Sequence, residues 1–428
     1  MLDRRNFLAS TLATAAGALA LSTRAYSELF EQAPAMPDKA LPDESYFVNL
    51  RKQFLIPADE VYLNNATNGS TPNPVLKAVV DAFHRYETMD DPNPEDYPLF
   101  GYGPFDQFRE PLAKFVGATK DEIAIVRNAT EANAIMANGL DMKPGDEVLM
   151  SDQEHGSGIS PWAMRAKRYG ITVKNFTIPK PPKSPSEILN AISDAITPRT
   201  RVIFVSHLTT VTGVILPVKE ICALARSKGI VSMIDGAQVI GMMPLNIKDI
   251  GADYYGSSPH KWLMAPKGTG FLYVRDEMID RTWSNTTTAG WDDPKQRAGR
   301  FQQYGSANIP LIVGLMEAIK FAESIGMDRI ERRNRQMADY LHGELVKRGA
   351  QTITSPDATM RCAITAVNVP PVKMPDLEYW MWKTHRIRIR GGAPNKIRMA
   401  AGYYVSKKDA DRFLEKFDEY RKGVRGLS

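Results

Sequence analysis

From Val61 onward the chain alternates two kinds of apolar pattern. Short runs at 122–127, 147–151, 171–176, 201–206, 230–235, 252–257 and 270–274 have the length and the branched or aromatic content of buried strands. Between them, stretches such as 131–139, 186–195 and 218–228 space apolar residues three or four apart, which is one face of a helix. A strand that is apolar on both faces needs a covering layer on each side. The alternation therefore predicts an α/β fold, a mostly parallel sheet with helices above and below. After Pro310 the pattern changes. One long helical stretch, 311–349, precedes strand-like runs at 363–369 and 387–390 and a charged helix from Lys407, which predicts a separate, smaller α+β domain.

The amino end follows a different rule. Arg4-Arg5, then Phe7-Leu8, an apolar stretch to Leu21 and small residues near Thr23-Arg24-Ala25 resemble a twin-arginine export signal over 1–25. That resemblance implies export in the folded state through the twin-arginine machinery, and a periplasmic location. Composition narrows the rest. With 43% hydrophobic residues the 428-residue chain has enough apolar material for sizeable cores. No apolar run reaches the roughly 20 residues of a spanning helix. The net charge of +5 is interspersed, so no nucleic-acid partner is expected. Two cysteines, Cys222 and Cys362, are too few for a disulfide scaffold and are expected to be buried free thiols.

Ligands of open parallel sheets sit beyond the carboxyl ends of the strands, so residues just after each strand carry the chemistry. Arg127-Asn128-Ala129-Thr130-Glu131 opens a helix, and is either an ordinary cap or an anion site built from N–H groups and the Thr130 hydroxyl. His155 follows the next strand. Asp235 ends another, with Gln238 three residues on. Ser257-Ser258-Pro259-His260-Lys261-Trp262 closes the strand after that. A lysine directly after an apolar strand is expected to be partly buried, which lowers its pKa and suits Schiff-base chemistry.

In this order, Asp-Gly-Ala-Gln and Ser-Pro-His-Lys resemble the class V aminotransferase family of pyridoxal-phosphate enzymes, in the branch of isopenicillin N epimerase and the cysteine desulfurases. The resemblance runs from Tyr62-Leu63-Asn64-Asn65-Ala66 to the carboxyl end. It implies fold type I, the aspartate-aminotransferase-like fold, with pyridoxal 5'-phosphate as cofactor. It divides the chain into a segment 26–75 packing on the small domain, a large cofactor-binding domain 76–310 and a small domain 311–428. It also implies a homodimer.

The resemblance assigns roles residue by residue. Lys261 would hold the cofactor as a Schiff base and then act as base at the substrate Cα. Asp235 would pair with the pyridinium nitrogen, Gln238 with the phenolic oxygen, and His155 would stack on the ring. Ala129, Thr130, Ser258 and His260 would hold the phosphate, and Ser306 would reach the partner subunit's phosphate. Arg398 would grip the substrate carboxylate, with Asn65 also at the substrate. The pocket would be lined by 64–70, by the aromatic stretch 97–105 and near Trp291.

Departures from the family narrow the chemistry. The stretch 390–396 holds no cysteine where desulfurases carry theirs. Thr210 and Gln302 stand where relatives have an asparagine and a glutamate. Aminotransferase-like action on a small-molecule or peptide-like amino substrate is the expected function. A Cβ-lyase or an epimerase is the alternative within the class, and an exported non-catalytic binding protein the alternative outside it. A nicotinamide enzyme is excluded because Gly101-Tyr102-Gly103 lacks the following glycine. No His-Glu-x-x-His or Gly-x-Ser-x-Gly motif points to a metal or serine hydrolase.

Overall fold

The computed structural model describes residues 34–87, 105–392 and 394–425. The stretch 1–25 expected to be an export signal and the stretch 97–104 lie outside them. The strands are β1 (Val61–Tyr62), β2 (Ile123–Val126), β3 (Glu147–Ser151), β4 (Thr172–Phe176), β5 (Thr200–Ser206), β6 (Val231–Asp235), β7 (Tyr254–Ser257), β8 (Gly270–Val274), β9 (Gln351–Thr352), β10 (Ile364–Asn368), β11 (Ile387–Arg388), β12 (Arg390–Gly392) and β13 (Lys396–Ala400). The seven expected strands of the large sheet are all present, in the order β2-β8-β7-β6-β5-β3-β4. They are mainly parallel. Only β8 runs against its neighbours β2 and β7.

Alternation along each strand divides the sheet residues between two cores. Ile203, Val205, Ile234 and Phe271 face one, with Ile188, Ile221 and Leu112 from the covering helices. Val202, Phe204, Met233 and Leu272 face the other, under Ala132, Ile135 and Met136 of the helix Ala129–Gly139 and Trp162 of the helix Gly156–Tyr169. Both faces are dry. This is why these runs are apolar throughout rather than alternating.

The small domain is an antiparallel sheet, β12-β13-β10-β9, with the helices Met374–His385 and Lys407–Arg425. The expected long helix 311–349 is two helices, Ile309–Ile325 and Met327–Lys347. Gly326 between them has φ +98°, a conformation that side-chain-bearing residues disfavour and that stops the first helix. The first packs on the helix Asn73–Glu87 and the second on β10. The amino-terminal segment joins the small domain: β1 pairs in parallel with β11. Arg329 and Arg333 also bind Asp43 and Glu44 of the helix Asp43–Leu50 at 2.8 and 2.7 Å. From there the chain crosses to the large domain, where the Gly69 N–H donates to the His260 carbonyl at 2.9 Å.

Candidate active site

Five strands of the large sheet end around one cavity of about 290 Å³. The segment after β2 contributes Asn128, Ala129 and Thr130, and that after β3 contributes His155. Ser206 and Thr210 come from the end of β5, Asp235 and Gln238 from β6, and Ser258, His260 and Lys261 from β7. Arg398 reaches in from β13 of the small domain. Parallel neighbours bring their carboxyl ends to the same edge, so residues as far apart in the chain as Asn128 and Lys261 meet here without any local signal for it.

The Asp235 carboxylate is 4% exposed and receives two N–H donors, Asn133 Nδ2 at 2.8 Å and the Ala237 amide at 2.9 Å. It also lines the cavity. The Gln238 amide is oriented at both ends: its oxygen accepts from Trp262 Nε1 at 2.8 Å, and its nitrogen donates to the Ala66 carbonyl at 3.1 Å. One N–H of that nitrogen is left. At the amino end of the helix Ala129–Gly139, Asn128 caps the Glu131 N–H at 3.0 Å and Ser258 Oγ takes the Ala129 N–H at 2.9 Å. The Thr130 N–H lies in the first turn and has no acceptor within the helix.

His155 caps the helix Gly156–Tyr169. Its Nδ1 accepts from the Ser157 N–H at 3.2 Å, which puts the proton of the neutral ring on Nε2. Burial, with Lys261 acting in the same direction, holds the His155 pKa below its ordinary value. Burial likewise lowers the Lys261 amine, Arg398 adds to the effect and Asp235 opposes it. No hydrogen bond to Lys261 Nζ is made among the described residues.

The Arg398 guanidinium is held by neutral groups alone: Thr210 Oγ1 at 2.7 Å, Asn64 Oδ1 at 2.8 Å and Thr67 Oγ1 at 3.0 Å. Its buried Nε has no partner, and burial pushes its pKa down to about 10. A buried cation with no carboxylate hydrogen-bonded to it among the described residues, and with a donor unsatisfied, has the chemistry to receive an anion.

Some expected residues fall elsewhere. Asn65 is fully buried and does not line the cavity: its amide spans the Lys261 carbonyl and the Tyr404 hydroxyl, each at 2.9 Å. It therefore positions the Lys261 turn instead of meeting a substrate, and Asn64 and Thr67 line up Arg398 in its place. Ser306 is exposed and outside this chain's cavity. Trp291 borders a different depression, with Thr282 and Trp283, and Phe105 is buried in the core.

Sequence reasoning also missed residues that matter. Asn133 sits on the apolar face of its helix, and a polar residue among Ala132, Ile135 and Met136 was the available signal. Glu154 had none. It is buried between the strand ends, accepting from Ser151 Oγ and, at 2.6 Å, from Ser206 Oγ. Burial foremost, and also the nearby Asp235, push its pKa up to about 7.

A pyridine ring bearing a phosphate, a phenolic oxygen and an aldehyde fits these donors. Thr130 and Ser258 suit the phosphate, and His260, whose buried Nδ1 is without a partner, lies beside them. Asp235 suits the ring nitrogen, the spare Gln238 N–H the phenolic oxygen, and the Lys261 amine the aldehyde. The comparisons agree. The profile described as Aminotransferase class-V matches residues 61–412. Isopenicillin N epimerase of Streptomyces clavuligerus is 31% identical over 331 residues, covering 73% of this chain and 83% of that protein. A probable cysteine desulfurase of Methanothermobacter thermautotrophicus is 30% identical over 301 residues, 69% of this chain and 74% of its own. Among solved structures, a lysine-to-alanine mutant of C-DES with glycine covalently linked to its PLP cofactor superposes with a TM-score of 0.76 at 24% identity, over 88% of this chain and 99% of that one. The fold is therefore that of fold type I, and the chain belongs to the class-V aminotransferase family with pyridoxal phosphate as its cofactor.

Proposed function

We propose that this class-V enzyme acts on the α-amino group of an amino-acid-type substrate by aminotransferase-like chemistry. The observation that carries the reading is that Lys261, Asp235 and Arg398 line one cavity, with Arg398 held by neutral groups only. When bound, the cofactor supplies an aldehyde that condenses with amines and a ring that accepts the electron pair released at Cα. Asp235, anchored by Asn133 and Ala237, would hold a proton at the ring nitrogen. Arg398 binds the substrate carboxylate through its unsatisfied donors and so orients Cα towards the lysine. Lys261, its amine made less basic by burial, takes the proton from Cα and returns one to the product.

Persulfide chemistry is disfavoured by the cysteines. Cys222 and Cys362 are both buried outside the cavity, and burial raises each thiol to about 12. The similarity to isopenicillin N epimerase supports epimerisation as the second reading, with His155 Nε2 as the group to carry a proton on the other side. A Cβ-lyase uses the same lysine and is the remaining alternative within the class. We further propose export by the twin-arginine route to the periplasm and a homodimer in which Ser306 serves the partner's site. The Arg4-Arg5 signal and the family resemblance support these two statements.

The first test is the visible spectrum of the purified protein before and after borohydride, with the labelled peptide mapped. A band that borohydride bleaches, with the added mass on Lys261, is expected. Lys261→Ala should lose the covalent label and turnover while keeping the fold. A protein that takes up no cofactor, or that turns over amines without Lys261, overturns the assignment. Uptake of cofactor without turnover of any amine leaves only the binding-protein alternative.

A further inference from the structure

Arg398 does not stand alone on its sheet face. Lys396 lies two residues earlier on β13, on the same face and about 7 Å along the strand. Arg390 of β12 is directly opposite Arg398, a neighbour about 5 Å away across the strands. Like charges directly opposite one another destabilise a sheet, so three cations on one face need a reason. Glu378 offsets them only in part: its charge favours the charged form of Arg398 without a hydrogen bond to it. Glu378 meets Arg390 only loosely, at 3.4 Å, with the Arg390 side chain 61% exposed. Asp152 is engaged by Lys180 at 3.0 Å. No carboxylate hydrogen-bonds or ion-pairs with Lys396 or Arg398 among the described residues.

Lys396 is also placed, not loose. Its stem folds over Gly392, opposite it on β12, where a Cβ would come within 2.8 Å of Lys396 Cε and 3.3 Å of Nζ. A residue with any side chain at Gly392 would push the ammonium off the sheet. Burial foremost, then Arg398 and Lys180, lower the Lys396 pKa, which is the condition of a cation waiting for a counter-charge.

Neither Lys396 nor Arg390 is among the residues that line the cavity; they continue the sheet face of Arg398 beyond it. We propose that Lys396 and Arg390 form a second anion subsite beside Arg398, reached by the far end of a longer substrate, and that the substrate is an amino acid whose side chain bears a carboxylate. The proposal rests on the reading of Lys261 and Arg398 given above. With Arg398 on the α-carboxylate, the spacing along the sheet suits a side chain of roughly two or three methylenes.

Holoenzyme titrated with L-glutamate, L-2-aminoadipate, L-glutamine and L-alanine, followed by the visible band of the cofactor, tests this. Glutamate and aminoadipate should bind about tenfold tighter than glutamine at low salt, and the ratio should fall as salt rises. In Lys396→Gln and Arg390→Gln the glutamate-to-glutamine ratio should approach one, with thermal melting confirming that the variants fold. Equal binding of glutamate and glutamine by the unaltered enzyme, or a ratio that neither substitution moves, overturns the subsite. If alanine and glutamine bind, Arg398→Lys weakens both, and glutamate has no advantage, the proposed function stands and the subsite alone falls. If no amino acid shifts the band, both fall together.

Discussion

Asp235 and Glu154 are two buried carboxyl groups held by different kinds of partner. Asp235 is met by N–H donors from Asn133 and Ala237. Glu154 is raised to about 7 by burial foremost, with the field of Asp235 adding to it and the Ser151 and Ser206 hydroxyls opposing it. Asp235→Asn should keep the cofactor bound but cost about 10²–10³ in turnover, because an amide cannot hold the ring proton. A rate within threefold of the parent would reduce Asp235 to a helix cap. For Glu154 the sign runs against the usual carboxylate. Between its ordinary 4.5 and about 7 the folded chain keeps a proton that the unfolded chain releases. Its contribution to stability is therefore full below 4.5 and is lost as pH rises through 7. Glu154→Gln stays neutral, so its melting temperature relative to the parent should climb by about 2–5 °C from pH 5 to pH 8. A constant difference across that range would mean that Glu154 titrates as an ordinary surface acid. Asp235 and Lys261 were legible as residues because each ends an apolar run. Glu154 was not, because its two serines come from different strands.

The turn that carries Lys261 is shaped from outside itself. It leaves β7 at Ser257, and Met264 closes it with φ +58°, an uncommon conformation for a side-chain-bearing residue. Two contacts from the amino-terminal segment hold it: Asn65 Nδ2 on the Lys261 carbonyl, and Gly69, packed against the same peptide. A Cβ on Gly69 would come within 2.1 Å of the Lys261 carbonyl oxygen, which is backbone and cannot swing aside. Gly69→Ala should cost on the order of 2–4 kcal/mol in urea unfolding and weaken cofactor binding together with it. Loss of stability with unchanged cofactor affinity would show that this contact does not reach the lysine. The sequence pattern located strands and most helices, because their periods are local. It joined the helices on either side of Gly326, since a glycine inside a helical pattern signals a break only when packing exploits it.

At the scale of the molecule, the strand–helix alternation was enough to predict a mostly parallel sheet, the separate carboxyl-terminal domain and the edge of the sheet where chemistry gathers. These follow from burial. An uninterrupted apolar strand has to be covered on both faces, and parallel strands have to send their ends to one side. The sequence order of Asp235, Gln238 and Lys261 was likewise sufficient to name the family and the cofactor. Which polar atoms meet was decided by folding alone. Arg398 finds Asn64 across 334 residues, and Asn65 turns away from the cavity to join Tyr404 to Lys261. Neighbours in the chain, Asn64 and Asn65 meet different partners where the chain leaves its bridge to Ala400 and enters a turn. The three cations beside Gly392 share a face only through the pairing of β12 with β13. Hydrophobic burial is indifferent to exact partners and is therefore written in local pattern. A hydrogen bond or an ion pair depends on positions good to a few tenths of an ångström, and only the packed tertiary structure supplies them.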